Sequence, residues 1–455
     1  MKTVRILDMQ SGDSSFFTEL VLQVLRDTDP VKLVRSSVKR RGDLLEVKDI
    51  LKGEILTYRL SRFRRVVILG GGKASGKMAK ALEEILGKYL QAGVVNILPQ
   101  QKFSSSRLRF FHSGHPYTTA GTIKGMREML KLAGNPTKED LFIIAISGGG
   151  SAMMELPADG ITLRDSVKLT KLLLESGADI HEINSVRKHI SQVKGGLLAK
   201  RLYPATIISL IISDVVGNQL DAIASGPTAP DNSTFDDAKN CLVRHGIWNI
   251  IPSSVRERIE KGVRGQLEEN PKHGDIWFEN VKNVVIGSNS LALNSARKFL
   301  LRHGFQVNVI TDRLTGEAGV EGSRFALLLK ATKVSDSKRI AMIAGGETTV
   351  TIKGKHGKGG RNQEFVLASS INLEGSSGLS VISFATDGVD GPTEAAGALA
   401  DSLTVRKARE MGIDARTYLL MHDSFSFFKK VGGLIITGPT GTNVNDVAIG
   451  VKVSD

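Results

Sequence analysis

Three polar loops in the C-terminal half of the chain carry the residue types best suited to chemistry: GGET from position 345, GGRNQE from 359 and TDGVDGPT from 386. They contain Glu347, Arg361 and Asp387, and the first and third follow apolar strands predicted at 340–344 and 379–385. In an open α/β sheet, ligands bind at the carboxyl ends of such strands. A fixed cation beside carboxylates suits phosphoryl transfer from a metal nucleotide, because the cation stabilises phosphate charge and the carboxylates hold Mg²⁺ or accept a proton. Taken singly, each loop is equally compatible with a tight turn that carries solvated charges.

A glycine-rich segment, GGGKASGKM from position 70, follows another predicted strand. It almost matches a P-loop, but Met78 stands where a Ser or Thr would hold Mg²⁺, so the P-loop interpretation fails. It also loosely matches a dinucleotide fingerprint, but the acidic residue expected after the next strand is absent. What remains is a nest of backbone N–H groups at a helix N-terminus, with Gly71, Gly72 and Lys73 placed to bind an anion. A plain strand-to-helix turn is the alternative.

A second glycine loop, SGGGS, follows the strand predicted at 141–146. Consecutive glycines let backbone N–H groups approach a phosphate without obstruction by side chains. We therefore expect phosphate or substrate-carboxylate binding by the whole loop, which comprises Ser147, Gly148, Gly149, Gly150 and Ser151. A flexible surface turn is the alternative.

Three further polar residues lie near predicted strand or helix ends. Asp214 follows the strand at 207–212 and is a candidate ligand for metal or substrate, although a turn residue would look the same. Lys188 lies on a helix predicted at 183–202 and is a candidate for binding an anion, although exposed cations on helices are usually solvated. Asn443 belongs to GPTGTNVND, a polar turn expected to line the same site.

The histidines are assigned no catalytic or metal-binding role. His189 lies on the same predicted helix as Lys188 and is expected to be structural. His112 and His115 are close in sequence but lack further ligands at metal-site spacing, so no zinc site is predicted.

The elements that must position these loops alternate between strands and helices. A strand at 66–69, a helix at 78–89 and a strand at 94–98 form a βαβ unit, the building block of a parallel sheet. The alternation continues to a polar segment at 268–275, after which a new strand begins at position 284. We predict two Rossmann-like, three-layer α/β domains with mostly parallel sheets, a larger one at 1–275 and a smaller one at 276–455.

Composition narrows the protein class. A chain of 455 residues with 41% hydrophobic and 24% charged residues is ordinary for a soluble protein of two domains. Its apolar runs are too short to span a bilayer and no secretory segment is evident, so a cytoplasmic protein without a membrane partner is expected. The single cysteine, Cys241, excludes an internal disulfide and a multi-cysteine zinc site.

A net charge of +14 raises the question of nucleic-acid binding. Aromatic residues make up only 5% of the chain and do not interleave with the basic clusters, which argues against a stacking platform. Surplus positive charge also steers small anions into a cleft, and we expect no nucleic-acid partner. The sequence does not fix the oligomeric state, for which a homodimer is one option.

Taken in order, the motifs resemble the two-domain glycerate kinases of the MOFRL family over nearly the whole chain. The resemblance rests on ten segments in order: GGGKAS at 70, GHP at 114, SGGGS at 147, INSVRKHISQVKGG at 183, ISDVVGN at 212, ASGPTAPD at 224, GGET at 345, GGRNQE at 359, TDGVDGPT at 386 and GPTGTNVND at 438. No single segment is decisive, whereas ten in order are specific.

The resemblance implies ATP-dependent phosphorylation of D-glycerate, with the 2-hydroxyl favoured as acceptor and with Mg²⁺ or a similar divalent cation. It also implies an inter-domain cleft and makes Lys73 and Arg361 the essential cations. Asp214 and Asp387 are the candidates for holding the metal or orienting the acceptor hydroxyl. A hydroxypyruvate reductase using NAD(P)H is the alternative, because members of this family have carried that label. A regulatory protein that binds nucleotide or another anion without turnover is a third possibility.

Overall fold

A computed structural model describes residues 4–7, 13–333 and 339–453. It divides into two compact units. The N-terminal unit is Leu33–Ile286, and the C-terminal unit combines Met1–Lys32 with Gly287–Asp455. The predicted boundary at 275/276 therefore differs from the observed division in two respects, which concern the first helix and the strand that starts near position 284.

The β-strands of the described residues alternate with helices along most of the chain. In order they are β1 (Arg5–Ile6), β2 (Val38–Arg41), β3 (Leu44–Lys48), β4 (Ile55–Arg59), β5 (Arg65–Gly71), β6 (Leu90–Ile97), β7 (Leu108–His112), β8 (Asp140–Ser147), β9 (Thr206–Ile212), β10 (Val281–Gly287), β11 (Gln306–Leu314), β12 (Arg339–Gly346), β13 (Leu379–Ala385), β14 (Gly397–Asp401), β15 (Leu434–Ile436) and β16 (Asp446–Val453).

The α-helices connect these strands or pack on their faces. In order they are α1 (Asp13–Asp27), α2 (Pro30–Ser37), α3 (Ser75–Leu86), α4 (Ala120–Ala133), α5 (Gly150–Met153), α6 (Leu163–Glu175), α7 (Ile180–His189), α8 (Leu197–Leu202), α9 (Phe235–Arg244), α10 (Ser253–Val263), α11 (Asn289–Arg302), α12 (Ala318–Ala331), α13 (Arg361–Leu373), α14 (Thr404–Glu410), α15 (Ala415–Leu420) and α16 (Ser424–Val431).

The N-terminal unit is built on a six-stranded sheet with the order β10-β9-β8-β5-β6-β7. Its neighbours from β9 to β7 pair in parallel, which confirms the parallel sheet predicted from the βαβ pattern. Every residue of the central strand β8 is buried, so both faces of the sheet are covered, as the three-layer prediction requires. Strands β2, β3 and β4 form a separate antiparallel sheet.

The strand that was predicted to open the second domain instead joins the first sheet. β10 lies next to β9 at the edge of that sheet, and the amide of Ile207, at the start of β9, donates to the carbonyl of Asn280, just before β10. The polar segment before β10 is thus a connection within a unit, and composition alone could not distinguish it from a linker.

The first helix belongs to the C-terminal unit. β1 pairs with β15, and α1 packs on α11, where the ring centroids of Phe16 and Phe299 lie 5.4 Å apart. The partner of α1 lies far along the chain, and helical periodicity in the sequence cannot identify it.

The C-terminal unit contains a seven-stranded sheet with the order β1-β15-β14-β13-β16-β12-β11. Only β11 and β12 pair in parallel, and the other neighbours in this sheet are antiparallel. The prediction of mostly parallel sheets is therefore wrong for this unit, although the α/β class is confirmed. The reason is that residues 386–396 join β13 to β14 without a crossover helix, which permits antiparallel pairing.

The helix predicted at 183–202 is two helices, α7 and α8. Between them the amide of Gly195 donates to the carbonyl of Ser225 at 2.9 Å, and that of Gly196 donates to Gly226 at 2.7 Å. These backbone groups bind a neighbouring loop instead of continuing a helix. Within the described residues no helix combines the length and apolar character needed to cross a bilayer.

Candidate active site

The glycine loops that follow β5 and β8 lie side by side in the N-terminal unit. The amide of Lys73 donates to the carbonyl of Gly148 at 2.9 Å, and the amide of Ala74 donates to Oγ of Ser147 at 2.9 Å. Because β5 and β8 are parallel neighbours, their carboxyl ends meet at the same edge of the sheet. The structure therefore brings together the predicted loop of Gly71, Gly72 and Lys73 and the predicted loop that begins at Ser147.

The SGGGS loop has no space for a side chain at Gly148 or Gly149. Gly149 caps α5 with φ +80°, and a Cβ there would lie 2.8 Å from the His115 ring and 3.4 Å from Cγ of Lys73. A side chain at Gly148 would overlap the carboxylate of Asp214, which follows β9. A cation and a carboxylate thus flank the glycine loop, at the carboxyl ends of three adjacent parallel strands.

The end of this loop turns into α5. Gly150 is the first residue of α5 and packs against Ala224. Oγ of Ser151 hydrogen-bonds Oγ of Ser225 at 3.0 Å, and Ser225 also donates to Asn184 at 2.9 Å. The loop is therefore tied to the segment after β9 as well as to the loop after β5.

Lys188 forms internal ion pairs. It is buried, and its Nζ lies 3.1 Å from Asp231 and 3.3 Å from Asp221. The neighbouring His189 is also buried, and its ring nitrogens bond the carbonyl of Ser185 and the carboxylate of Glu269. The structure thus places Lys188 against protein carboxylates, and it gives His189 structural contacts.

Arg361 is the first residue of α13 in the C-terminal unit, and a carboxylate from a distant loop fixes this helix end. Gly360 offers no capping side chain, but Asp390 accepts hydrogen bonds from the amides of Asn362 and Gln363 at 3.0 and 2.9 Å. A Cβ on Gly360 would overlap Asp390. Burial raises the pKa of Asp390, while the helix N-terminus favours its negative form. The GGRNQE and TDGVDGPT motifs are therefore two halves of one arrangement that orients Arg361.

The guanidinium of Arg361 bonds two carboxylates. Its Nε and Nη2 donate to Asp446 at 2.5 and 3.1 Å, and its Nη1 lies 2.6 Å from Glu347. Burial raises the pKa of Asp446 to about 7, although the guanidinium acts in the opposite direction. For Arg361, burial acts to lower the pKa, but the charges of Asp446 and Glu347 outweigh burial and raise it.

The remaining predicted residues of this unit lie in the loops around this ion-pair cluster. Oδ1 of Asn443 accepts from the amide of Asn445, whose side chain donates to Glu347 at 3.0 Å. Asp387 follows β13; its Oδ1 accepts from the amide of Val389 and its carbonyl accepts from the amide of Thr440. The structure therefore connects Asn443 to Glu347 and Arg361, and packs the turn of Asp387 against the GPTGTNVND loop.

Sequence reasoning missed Asp446 and Asp390, which hold Arg361 in place. Asp446 is the first residue of β16 and pairs with Gly346 at the end of β12. Its role depends on β16 entering the sheet beside β12, an antiparallel pairing that the predicted parallel sheet did not contain. Asp390 was visible in TDGVDGPT, but only the proximity of Gly360 reveals it as a helix cap.

Comparison with known proteins agrees with these motifs. Residues 16–260 match a family model described as a domain of unknown function, DUF4147, and residues 340–446 match the MOFRL family. The chain is 42% identical to a glycerate 2-kinase of Pyrococcus horikoshii, over 96% of each chain. This chain belongs to the MOFRL-type glycerate kinase family.

Two further relatives bear on fold and activity. The crystal structure of a glycerate kinase from Thermotoga maritima superposes with a TM-score of 0.82 at 39% identity, covering 96% of this chain and 98% of that one. This likeness confirms the predicted α/β fold class of this chain. A protein of Agrobacterium vitis that is 37% identical over 84% of this chain and 86% of its own length carries the provisional name hydroxypyruvate reductase.

Proposed function

We propose that this chain is an ATP-dependent kinase that phosphorylates D-glycerate at its 2-hydroxyl and releases ADP and 2-phosphoglycerate. The observation that carries this proposal is the pair of glycine loops flanked by Lys73 and Asp214. Backbone N–H groups, a cation and a carboxylate at the carboxyl ends of β5, β8 and β9 suit a phosphate group and its counter-charges. The choice of glycerate as the phosphoryl acceptor rests on the relatives that are named glycerate kinases.

The reaction forms a bond between the acceptor oxygen and the γ-phosphorus and breaks the bond to the oxygen that bridges the β- and γ-phosphates. The proton of the hydroxyl must leave, and the protein contributes mainly position and fixed charge. Lys73 and Arg361 supply positive charge to the transferring group, and the SGGGS loop supplies N–H donors. A single well-placed donor of this kind typically accounts for about 10²–10³ in turnover.

The guanidinium of Arg361 bonds a buried carboxylate, that of Asp446, and a more exposed one, that of Glu347. Asp446 is almost completely buried and bonds two nitrogens of the guanidinium, whereas the Glu347 side chain is 43% exposed and bonds one. In our proposal a phosphate oxygen replaces Glu347 at Nη1 while Asp446 keeps the guanidinium in place.

Mg²⁺ bound to the nucleotide would neutralise charge on the β- and γ-phosphates. Mg²⁺ prefers hard oxygen ligands and in kinases is held by one or two carboxylates together with the phosphates. Asp214 fits this requirement because its carboxylate lies against Gly148 beside the proposed phosphate cradle. We propose Asp214 and Asp387 as the residues that hold Mg²⁺ or orient the acceptor hydroxyl. In the ranges that the structure describes, no group of three or more His, Cys, Asp or Glu residues forms a metal cage.

A reductase acting on hydroxypyruvate is the alternative, because one relative carries that provisional name. The structure offers an observation against it. The end of β6, where a dinucleotide fold places an acidic residue for the ribose, holds Asn96. This side chain is fully buried and donates to the carbonyls of Thr122 and Met153 at 3.2 and 2.7 Å, so it does not face a ribose.

The proposal is tested by ADP release that depends on D-glycerate and Mg²⁺, measured for the wild type and for Lys73→Met. We expect turnover by the wild type and a loss of about 10²-fold or more in the variant. NAD(P)H oxidation on added hydroxypyruvate, without ADP release, would overturn the kinase in favour of the reductase. Tight ATP binding without either reaction would favour a regulatory protein.

A further inference from the structure

Arg187 lies on α7 beside the SGGGS loop, and the proposed phosphoryl transfer assigns it no role. Its Nη2 donates to the backbone carbonyl of Ser151 at 3.0 Å. The residue is partly accessible to solvent. Among the described residues no carboxylate forms an ion pair with Arg187, and burial lowers the pKa of the guanidinium to about 10.

Two nearby lysines in this unit, unlike Arg187, have carboxylate partners. Lys188, the next residue, pairs with Asp221 and Asp231. Lys194 is completely buried and pairs with Glu155. Buried charges in proteins are normally compensated in this way, because desolvation without a partner costs free energy. Arg187 therefore carries a positive charge that no carboxylate of the described residues neutralises, and an anion from outside the protein would neutralise it.

A second unused donor lies one turn earlier on the same helix. Asn184 is 2% exposed, and its Nδ2 has no hydrogen-bond partner within the described part of the chain. Its Oδ1 accepts from Ser225, whose hydroxyl also bonds the hydroxyl of Ser151. Asn184, Ser225, Ser151 and Arg187 thus form one connected group with donors that lack acceptors.

We propose that Arg187, together with Asn184, forms the subsite that binds the carboxylate of the substrate 2-hydroxy acid. This assignment rests on the proposed kinase function. The planar guanidinium offers parallel N–H donors that match the two oxygens of a carboxylate, which a phosphate bound by Lys73 does not require.

The position of this subsite also bears on which hydroxyl reacts. A Cβ at Gly149 would lie 3.4 Å from Cγ of Lys73, and the carbonyl of Ser151 accepts from Arg187, so residues two positions apart in the chain lie beside the two cations. The 2-hydroxyl is attached to the carbon next to the carboxylate, whereas the 3-hydroxyl is one carbon further away. Anchoring the carboxylate therefore fixes the 2-hydroxyl more tightly, which favours 2-phosphoglycerate.

The test measures kcat and both KM values for Arg187→Met, Arg187→Lys and the surface control Arg244→Met, whose parent side chain is 70% exposed on α9. Loss of a charge-assisted hydrogen-bonded pair typically weakens binding by about 10–100-fold. We expect Arg187→Met to raise the KM for D-glycerate by this factor and to leave the KM for ATP within about twofold. Arg187→Lys should be intermediate, and Arg244→Met should match the wild type.

A substitution that supplies an internal counter-ion gives an independent readout. Asn184→Asp is nearly isosteric and should pair with Arg187, so the KM for D-glycerate should rise although the guanidinium is still present. Melting temperatures identify any variant that fails to fold, in which case Arg187→Lys and Asn184→Asp decide the matter. The assignment would be overturned by a rise in the KM for ATP. It would also be overturned if the KM for D-glycerate were unchanged in Arg187→Met, Arg187→Lys and Asn184→Asp.

Calorimetric titration of D-glycerate without nucleotide separates this assignment from the proposed function. Binding to the wild type that is lost in Arg187→Met, without turnover by the wild type, would keep the carboxylate subsite and remove the kinase. Normal turnover with binding that does not depend on Arg187 would keep the kinase and remove the subsite. Absence of both binding and turnover in the wild type would remove both.

Discussion

The loops around Lys73 and the cluster around Arg361 position a cation in different ways. Lys73 belongs to a loop held by backbone hydrogen bonds and by glycines that leave no space for a Cβ. Arg361 is held by carboxylates, with Asp446 and Glu347 on its guanidinium and Asp390 on the end of its helix. The first region is controlled by steric fit and the second by charge.

This difference predicts which perturbations each region can tolerate. Adding a methyl group at Gly149 should damage the Lys73 loops, because a Cβ there would lie 2.8 Å from the His115 ring. Changing pH or neutralising a carboxylate should affect the Arg361 cluster, because burial has moved the pKa of Asp446 and Asp390 upward. Four measurements test this difference between the two regions.

Arg361→Ala should have the largest effect. In the proposed mechanism the charge on the transferring phosphoryl group loses its fixed partner, so we expect kcat to fall by about 10³-fold. The variant also leaves Asp446 unpaired; since the Arg361 side chain is 31% exposed, we expect a loss in unfolding free energy of about 2 kcal/mol, below that of a fully buried pair. Arg361→Lys should recover only part of kcat, because an ammonium group cannot bond both carboxylates in the same geometry.

The matched control for this change is Arg406→Ala, which removes an exposed arginine paired with Glu410 on α14. It should leave kcat and the melting temperature close to those of the wild type. Near-normal turnover by Arg361→Ala would exclude Arg361 from the mechanism.

Gly149→Ala tests steric control of the loops. Gly149 and Gly160 have almost the same φ, +80° and +84°, but only Gly149 is crowded, with His115 2.8 Å from the position of a Cβ. We expect kcat/KM to fall by about 10²-fold in Gly149→Ala, because the loop must move relative to Lys73. Gly160→Ala should cost about 1 kcal/mol in stability from backbone strain and should keep full turnover. Equal activity in the two variants would contradict steric control.

The pH dependence of the Arg361 cluster should move stability and activity in opposite directions. The pKa of Asp446 is about 7 in the fold against 3.8 for an ordinary aspartate, so folding takes up a proton between these values. The contribution of Asp446 to stability therefore decreases as pH rises through this window. Activity should instead fall as pH drops below about 7, because protonated Asp446 holds Arg361 less firmly.

Asp446→Asn should remove both trends and lower kcat by about tenfold at neutral pH. Melting temperature and kcat measured from about pH 5.5 to about pH 8.5 on both proteins provide the check. An acid limb in kcat that persists unchanged in Asp446→Asn would assign that limb to another group.

Glu347→Gln should have the smallest effect. Its parent carboxylate is 43% exposed, and exposed ion pairs contribute little. If phosphate replaces Glu347 at Arg361, removing the competing charge should lower the KM for ATP by about twofold. A large loss of kcat would show instead that Glu347 acts directly in the reaction.

The two regions also differ in how far the sequence predicted them. The parallel strands β5, β8 and β9 and their glycine loops follow from local patterns, and adjacency of parallel strands brings Lys73, Ser147 and Gly148 together. The Arg361 cluster depends on antiparallel pairing of β16 with β12 and on a helix cap from a separate loop, neither of which leaves a periodic signal.

Lys188 and Arg187 illustrate the same limit within one helix. Both are cations in INSVRKHISQVKGG, and the sequence favoured Lys188 as the anion ligand. Only the fold shows that Lys188 points to Asp221 and Asp231 whereas Arg187 has no carboxylate partner among the described residues. Adjacent helical residues face different directions, so their side chains meet different surroundings.

Transfer of a phosphoryl group to the 2-hydroxyl of D-glycerate is tested by phosphorus NMR of the product formed from ATP, Mg²⁺ and D-glycerate. We predict the signal of 2-phosphoglycerate, formed by the wild type and formed about 10²-fold or more slowly by Lys73→Met. A 3-phosphoglycerate signal would contradict the proposed orientation of the substrate, and the absence of any phosphorylated glycerate would contradict the function itself.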